Sequence, residues 1–444
     1  MSSLLNVIYN KSMKSISELL RELDTLPPGN IYKKTINGNN YYYHQYFEFG
    51  NRITKMIPSE QVETTLELFK KKKDIQDQIR ELRSFEKNIS ISSHADQLTG
   101  QVMCGDIPVA RFEDGVMISY HEKLAPLIIQ RTHSIRKFLA LRVIDMDRTN
   151  ARILARSLNI NIDDEHKIPL YSYAMTIGDN YWFKPKQSKI KYDDIKFNND
   201  NFFDTSLKGS TIYFKHRSSL TPELTTTGSF EKGWRLIKKH WWLYKSGEAK
   251  NIFSELFCYN FAKLIGLKTA IYEYDNGYIR SKNFAEKYNF EPMASLADDN
   301  DNYNHIFTIL YNLNKTIAKE YLKLIFFDAV THNVDRHNEN TGLLRNKETG
   351  RIVSLAPNFD NNLALLATID TIKKDVKQDG FAKVFIKFMH DNKIAYQMFN
   401  EIPLKEITIE EVQACIDAIP IKMKNTDNLA EAILLRYKSL KNLI

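Results

Sequence analysis

The chain has 444 residues, of which 43% are apolar and 26% are charged. This balance is typical of a globular protein, so it excludes intrinsic disorder and a fibrous architecture, and the length predicts roughly two or three structural units. The net charge of +8 suits an anionic partner, but Lys and Arg are spread along the chain and only Lys70 to Lys73 form a run, so a dedicated nucleic-acid binder is not favoured.

The first predicted module covers residues 1–95. Its elements are a helix over 4–24, strands over 31–36, 41–47 and 52–57, and an amphipathic helix over 59–88. The strands form an antiparallel meander, because Asn37-Gly38 tolerates the positive φ values of a tight type I′ turn. Apolar residues recur along the long helix at three- and four-residue spacing, so we interpret it as an arm for interaction or dimerisation.

The polar segment 88–95 interrupts the helical pattern and predicts a linker. The elements predicted after it are two short strands between about 100 and 120, a helix over 121–157, strands over 241–245, 270–274 and 278–281, and helices over 251–265, 304–332 and 406–440. Residues 159–225 have a mixed composition that predicts no clear element. Because the strands are concentrated before the long helices, the sequence predicts an α+β fold.

Residues 332–340, His-Asn-Val-Asp-Arg-His-Asn-Glu-Asn, follow an apolar helix and carry Asp335 and, five positions later, Asn340. Phosphoryl transfer needs a carboxylate to orient the attacking hydroxyl and oxygen ligands for Mg²⁺. The spacing therefore indicates a base and a metal-ligating amide in one loop. Asp360 supplies a second acid at a turn after a strand-like run, and the turn-rich segment 346–350 predicts a hairpin between the two motifs.

Candidate nucleotide-binding residues lie upstream of this loop. Residues 225–233, Thr-Thr-Thr-Gly-Ser-Phe-Glu-Lys-Gly, form a small-residue turn whose backbone N–H groups suit phosphate oxygens. The strand over 241–245 ends in Lys245, and Glu255 lies on the following helix. A strand lysine paired with a helical glutamate is how kinases hold the α- and β-phosphates.

Other interpretations of these residues stay open. Asp and Asn favour turns and can be ordinary loop residues. His332, Asp335 and His337 have a spacing that can chelate zinc, although no HExxH partner occurs elsewhere. The tryptophans at 234, 241 and 242 can stack on a base, but aromatic residues on a strand more often belong to a core.

The motifs from about residue 100 to the C-terminus resemble, in this order, those of the HipA-like serine/threonine kinases. Thr-Thr-Thr-Gly-Ser-Phe-Glu-Lys (225–232) resembles the glycine-rich loop of the family, and Leu-Tyr-Lys (243–245) resembles its nucleotide lysine strand. Ser-Glu (254–255) and Ala-Lys-Leu-Ile-Gly (262–266) resemble the helix behind that strand. Asn-x-Asp-x-His-x-x-Asn (333–340) resembles the catalytic loop, and Ala-Pro-Asn-Phe-Asp (356–360) resembles the metal-binding turn. Residues 1–95 lie outside this resemblance.

The resemblance implies a bilobal protein-kinase-like fold, with a mixed α/β N-lobe over residues 96–285 and a mainly helical C-lobe over residues 286–444. It implies ATP and Mg²⁺ as cofactors, a protein Ser or Thr hydroxyl as the acceptor, and a cognate antitoxin as a partner. The implied roles are catalysis for Asp335 and His337, Mg²⁺ binding for Asn340 and Asp360, and nucleotide binding for Gly228, Ser229, Lys232, Lys245 and Glu255.

The family also commonly phosphorylates its own glycine-rich loop, for which Thr225, Thr227 and Ser229 are the candidate hydroxyls here. A phosphate in this loop would repel ATP.

Two features limit the resemblance. The family often has Lys before the loop asparagine, where this chain has Glu339, so one phosphate contact is absent or is supplied by Arg336 or His337. The pattern Asp-Arg-His-x-x-Asn also occurs in phosphoinositide kinases, so a lipid acceptor stays open. A nucleotide-binding pseudokinase that acts as an interaction module is a further alternative.

The three cysteines, Cys104, Cys258 and Cys415, are far apart and form no C-x-x-C pair, so they predict neither a disulfide framework nor a thiolate zinc site. The first residues lack the basic and apolar regions of a signal peptide, and no apolar run approaches the length of a membrane span. We therefore expect no membrane span and a bacterial cytoplasmic location, with secretion by a route without a cleaved signal left open.

Overall fold

The computed structural model describes residues 19, 22–23, 25–36, 39–48, 51–89, 98–158, 160, 164–210, 220–365, 372–424 and 426–443. Most of the predicted helix over 4–24, the Asn37-Gly38 turn and most of the predicted linker lie outside the described residues. The chain divides into two compact units, one formed by Met1–Asp96 with Ala155–Ile168 and the other by Gln97–Leu154 with Pro169–Ile444.

The first unit contains the predicted meander and long helix. Its elements are β1 (Asn30–Ile36), β2 (Asn39–Glu48), β3 (Asn51–Met56) and α1 (Val62–Ile89). The strands pair antiparallel in the order β1-β2-β3, which confirms the meander. Within the lysine run, Lys72 Nζ donates hydrogen bonds to the carbonyl oxygens of Pro27 and Gly29 and Lys71 pairs with Glu22, while Lys70 and Lys73 are exposed.

The second unit has three antiparallel sheets. Their strands are β4 (Gly100–Cys104), β5 (Ile107–Glu113), β6 (Val116–Tyr120), β7 (Tyr181–Pro185), β8 (Lys232–Ile237), β9 (His240–Lys245), β10 (Tyr272–Asp275), β11 (Tyr278–Lys282), β12 (Tyr288–Pro292), β13 (Gly342–Asn346) and β14 (Ile352–Leu355). The sheet orders are β6-β5-β4-β7, β10-β11-β9-β8 and β12-β13-β14. The β13–β14 hairpin is the one predicted between the catalytic loop and Asp360.

Helices lie between and after these strands. They are α2 (Leu127–Thr132), α3 (Ile135–Ala140), α4 (Thr149–Ser157), α5 (Tyr192–Ile195), α6 (Phe203–Lys208), α7 (Ala249–Leu264), α8 (Ala294–Ala297), α9 (Tyr303–Leu313), α10 (Lys315–Thr331), α11 (Gly380–Asp391), α12 (Lys393–Asn400), α13 (Ile409–Asp417) and α14 (Leu429–Leu443). Together with the sheets they confirm a mixed α and β fold. None of the described helices combines the length and apolar character needed to cross a membrane.

The single predicted helix over 121–157 is wrong, because the chain forms α2, α3 and α4 there. His133 adopts a left-handed conformation with φ 55° and ends α2. Ser134 then caps α3, since its side chain accepts a hydrogen bond from the N–H of Lys137. The prediction of two strands near 100–120 is also wrong, because three strands, β4, β5 and β6, form there. Gly105 and Gly115, both with positive φ, lie at the two turns between them.

The main core of the second unit packs α7 against α10. Phe257 and Phe261 stack along α7 with ring centroids 5.7 Å apart, and Phe261 stacks on Phe327 of α10 at 5.9 Å. This apolar contact fixes both helices, so that Glu255 on α7 and the loop that leaves α10 are held at defined positions.

Candidate active site

One cavity of the second unit collects the predicted site residues. Those that line it are Gly228, Ser229, Lys232, Lys245, Asp335, His337, Asn340 and Asp360. Glu255 does not line the cavity but touches Lys245 from behind. Residues separated by more than 130 positions in sequence therefore meet at one cleft.

Lys245 is the centre of a buried ion-pair group. It ends β9, and its Nζ lies 2.6 Å from Asp360 Oδ1 and 3.3 Å from Glu255 Oε1. Burial acts to lower the pKa of Lys245, but the two carboxylates outweigh burial and raise the pKa above its ordinary value. The lysine is therefore a fixed cation, held by a strand on one side and by α7 on the other.

Asp360 sits on a constrained turn. Its φ of 58° lies in the left-handed region, which is uncommon for a residue other than glycine but which aspartate tolerates in turns. Its backbone N–H donates to the hydroxyl of Tyr272, and the N–H of Asn361 donates to Glu255 Oε2. These bonds fix the turn that aims the Asp360 carboxylate into the cleft.

The predicted catalytic loop begins where α10 ends, at His332, which has φ 51°. Within this loop Asn340 Nδ2 donates to the backbone oxygen of Asp335 at 3.0 Å and lies 3.5 Å from its carboxylate. Burial raises the pKa of the Asp335 carboxyl, with His337 acting against burial and Asp360 adding to it. A carboxylate with a raised pKa is a stronger proton acceptor than an ordinary aspartate.

Arg336 is a buried structural tie, so it does not supply the phosphate contact offered for it from the sequence. Its guanidinium donates to both carboxylate oxygens of Asp328 on α10, at 2.9 and 3.0 Å. It also donates to the backbone oxygens of Asn340 and Phe359, both at 2.7 Å. One side chain thus joins α10, the catalytic loop and the turn that carries Asp360.

The glycine-rich loop runs from a 3₁₀ helix, Pro222–Thr225, to the start of β8. Lys232 folds back beneath it, and its Nζ donates to the backbone oxygen of Thr227 at 2.9 Å. Gly228 has φ 92°, a backbone conformation that favours glycine, and a Cβ there would lie 2.5 Å from Lys232 Nζ and would displace the end of this lysine. Burial and the neighbouring Lys245 lower the pKa of Lys232 to about 7.

The donor set of the cleft fits Mg²⁺, because it consists of carboxylate and amide oxygens. Asp360 Oδ2 and Asn340 Oδ1 accept no hydrogen bond from the described residues, so each has an oxygen available to a cation. Lys245 and Lys232 outweigh the effect of burial and hold the pKa of Asp360 at about 2, so this ligand is ionised at neutral pH.

The structure argues against the zinc site considered for His332, Asp335 and His337, because His332 is engaged elsewhere. His332 Nδ1 lies 2.8 Å from Asp379 Oδ2, and its ring packs on Phe381. Asp379 also pairs with the buried Arg436. His332 therefore braces the end of α10 rather than sharing a ligand set with Asp335.

Several cleft residues were not predicted from the sequence. They are Tyr272, Phe284, Phe359, Asn362 and the polar segment Ser281–Asn283, which covers the end of β11. Phe284, Phe290 and Phe359 pack together with ring centroids 5.2–5.6 Å apart. Their residue types and spacing form no motif in the sequence. Of the three tryptophans, Trp234 lines the cleft and donates to Thr226 Oγ1, while Trp241 and Trp242 are half-buried outside it.

No family model matches the chain, and no curated protein matches it. Among solved structures it is similar to HipA of the Shewanella oneidensis MR-1 toxin–antitoxin system, in a complex with HipB and its operator DNA, with a TM-score of 0.53 and 12% identity over 78% of this chain and 99% of that chain. It is also matched to the Helicobacter pylori proinflammatory kinase CtkA, with a TM-score of 0.34 and 17% identity over 48% of this chain and 90% of that one. The HipA match confirms the predicted resemblance at the level of the fold, and the second match adds nothing to that conclusion.

Proposed function

From its HipA-like fold, we propose that this chain is a kinase that transfers the γ-phosphate of ATP to a Ser or Thr hydroxyl of another protein, with Mg²⁺ as the cofactor. The nucleotide lies between an N-lobe, residues 96–285, and a C-lobe, residues 286–444. The single observation that carries the proposal is the convergence of Lys245 with Glu255 and Asp360 in the cleft that Asp335 and Asn340 line.

In this mechanism Asp335 accepts the proton of the acceptor hydroxyl as its oxygen bonds to the γ-phosphorus. The bond from the γ-phosphorus to the bridging oxygen breaks, and ADP leaves with the electron pair of that bond. Lys245 and Lys232 offset the negative charge of the phosphates. Asn340 and Asp360 would hold Mg²⁺, which supplies charge neutralisation to the phosphates when bound.

We also propose that the kinase phosphorylates its own glycine-rich loop at Ser229 or Thr227. Thr225 is a poor candidate, because it is buried and its Oγ1 donates to the backbone oxygens of Met175 and Pro222. Ser229 is exposed at the tip of the loop. A phosphate there would add negative charge beside the nucleotide phosphates and would lower ATP affinity.

The partner that we propose is an antitoxin, since the similar HipA is part of a complex with HipB. The HipA-like fold supports a protein acceptor over a lipid one, so the phosphoinositide kinase alternative is not favoured. The proposed base Asp335 and the proposed Mg²⁺ ligands Asn340 and Asp360 line one cleft together with Lys245, which argues against a pseudokinase.

The central test is the substitution Asp335→Ala in the full chain, assayed with radiolabelled ATP, Mg²⁺ and bacterial lysate. Loss of the carboxylate removes the proton acceptor, so we expect transfer to fall by about 10²- to 10⁴-fold while ATP binding, measured by calorimetry, stays within about two-fold. Mass spectrometry of the wild-type reaction would locate the loop phosphate, which we expect at Ser229 or Thr227 and absent from Thr225.

A matched control is Asp193→Asn, since Asp193 is an exposed aspartate outside the cleft and should leave transfer unchanged. Full transfer by Asp335→Ala would reject Asp335 as the base. Labelled phospholipid in a parallel reaction with purified phosphoinositides, and no labelled protein, would favour the lipid alternative instead.

A further inference from the structure

A second cavity, of about 400 Å³, opens on the second unit and shares no lining residue with the cleft. It lies between the loop after α7, the first half of α10, the turn after β14 and the segment after α12. Its walls are mainly apolar and include Leu267, Leu324, Leu355, Ala356, Ile402 and Pro403. The volume falls in the range of about 300–1,000 Å³ that is usual for small-molecule sites.

Lys323 gives the cavity an unpaired cation. Of the three lysines at its wall, Lys268 and Lys319 form ion pairs with Glu320 and Glu401. Lys323 is half-buried and donates only to the backbone oxygen of Gly266 at 2.8 Å, with no carboxylate partner among the described residues. A partly buried ammonium without a counter-charge favours an anionic ligand.

We propose that this cavity binds a small monocarboxylic acid with an apolar body. The apolar part of the ligand would fill the space between the leucines, and the carboxylate would accept from Lys323. The ligand carries one charge, which matches the one lysine that the wall leaves unpaired.

The test uses octanoate as the probe and 1-octanol as its uncharged counterpart, with the full chain and isothermal titration calorimetry. We expect octanoate to bind the wild type and octanol to bind at least about ten-fold more weakly, since it lacks the charge that pairs with Lys323. Lys323→Met should weaken octanoate binding by a similar factor, and Lys323→Gln serves as a second variant in case the first does not fold. The matched control is Lys315→Met, on the same helix but outside the cavity, which should leave octanoate affinity unchanged.

No binding of octanoate to the wild type, equal binding of octanol, or full affinity in both Lys323 variants would overturn the site. A chain that binds octanoate but no ATP would reject the proposed kinase function and leave the carboxylate site standing.

Discussion

At the scale of single residues, Lys232 is the side chain whose charge depends most on what occupies the cleft. It is buried under the glycine-rich loop next to Lys245, and its pKa lies at about 7. In the free protein at pH 8 the amine is therefore mostly neutral. A triphosphate placed beside it would favour the protonated form and raise the pKa again.

This leads to a prediction about protons. ATP binding at pH 8 should take up to about one proton per site, and ATP affinity should fall as pH rises above 7, because the bound state needs a proton that the free state has lost. Calorimetry at pH 8 in buffers with different ionisation enthalpies measures the uptake. Lys232→Met should abolish it.

The control is Lys189→Met, which removes an exposed lysine outside the cleft and should leave the uptake unchanged. If wild type and Lys232→Met take up the same number of protons, Lys232 does not meet the phosphates.

Single residues also mark the limit of what could be predicted from the sequence. Residue types and spacing were enough to single out Asp335, Asn340, Asp360 and Lys245, and the structure brings these four to one cleft. They could not assign Arg336, which was a candidate phosphate contact and instead faces the interior. The direction of a side chain depends on buried acceptors far away in sequence, and no local pattern records them.

At the scale of elements, Arg336 connects three segments of the site, which are α10, the loop that carries Asn340 and the turn that carries Asp360. Its guanidinium and Asp328 are both buried. Arg336→Met would leave the Asp328 carboxylate buried without a counter-charge and free both backbone oxygens. We expect the free energy of unfolding, measured with urea, to fall by about 3–5 kcal/mol.

The double substitution Arg336→Met with Asp328→Leu should cost less than Arg336→Met alone, because the uncompensated charge is gone. Arg111→Met is a suitable comparison, since Arg111 is an exposed arginine paired only with its strand neighbour Glu113. A loss at Arg336 no larger than that at Arg111 would contradict the structural role.

The bounds of strands and helices were predicted well where one periodic pattern covers a single element. They were predicted poorly where a capping residue divides a continuous apolar pattern into two helices. The meander, β9, α7, β11 and the β13–β14 hairpin lie close to their predicted bounds. The helix predicted over 304–332 is two helices, because Asn314 ends α9 and its side chain caps α10. Apolar periodicity continues across such a break, so periodicity alone does not reveal it.

At the scale of the whole molecule, all predicted site residues belong to the second unit, and α1 of the first unit keeps exposed leucines at 66 and 68. We predicted α1 as an arm for interaction or dimerisation, and that remains a prediction. If it is right, light scattering should find a dimer for the full chain and a monomer for Leu66→Glu, with ATP binding retained in both. A full chain that is monomeric at micromolar concentration would refute the arm.

The first unit is interrupted in sequence, since it takes Ala155–Ile168 from beyond the first 58 residues of the second. During translation, residues 97–154 therefore leave the ribosome while the first unit still lacks a piece of itself. Each unit needs a segment that is synthesised after part of the other unit. The two units therefore cannot fold strictly one after the other during translation, which is the usual order for neighbouring domains.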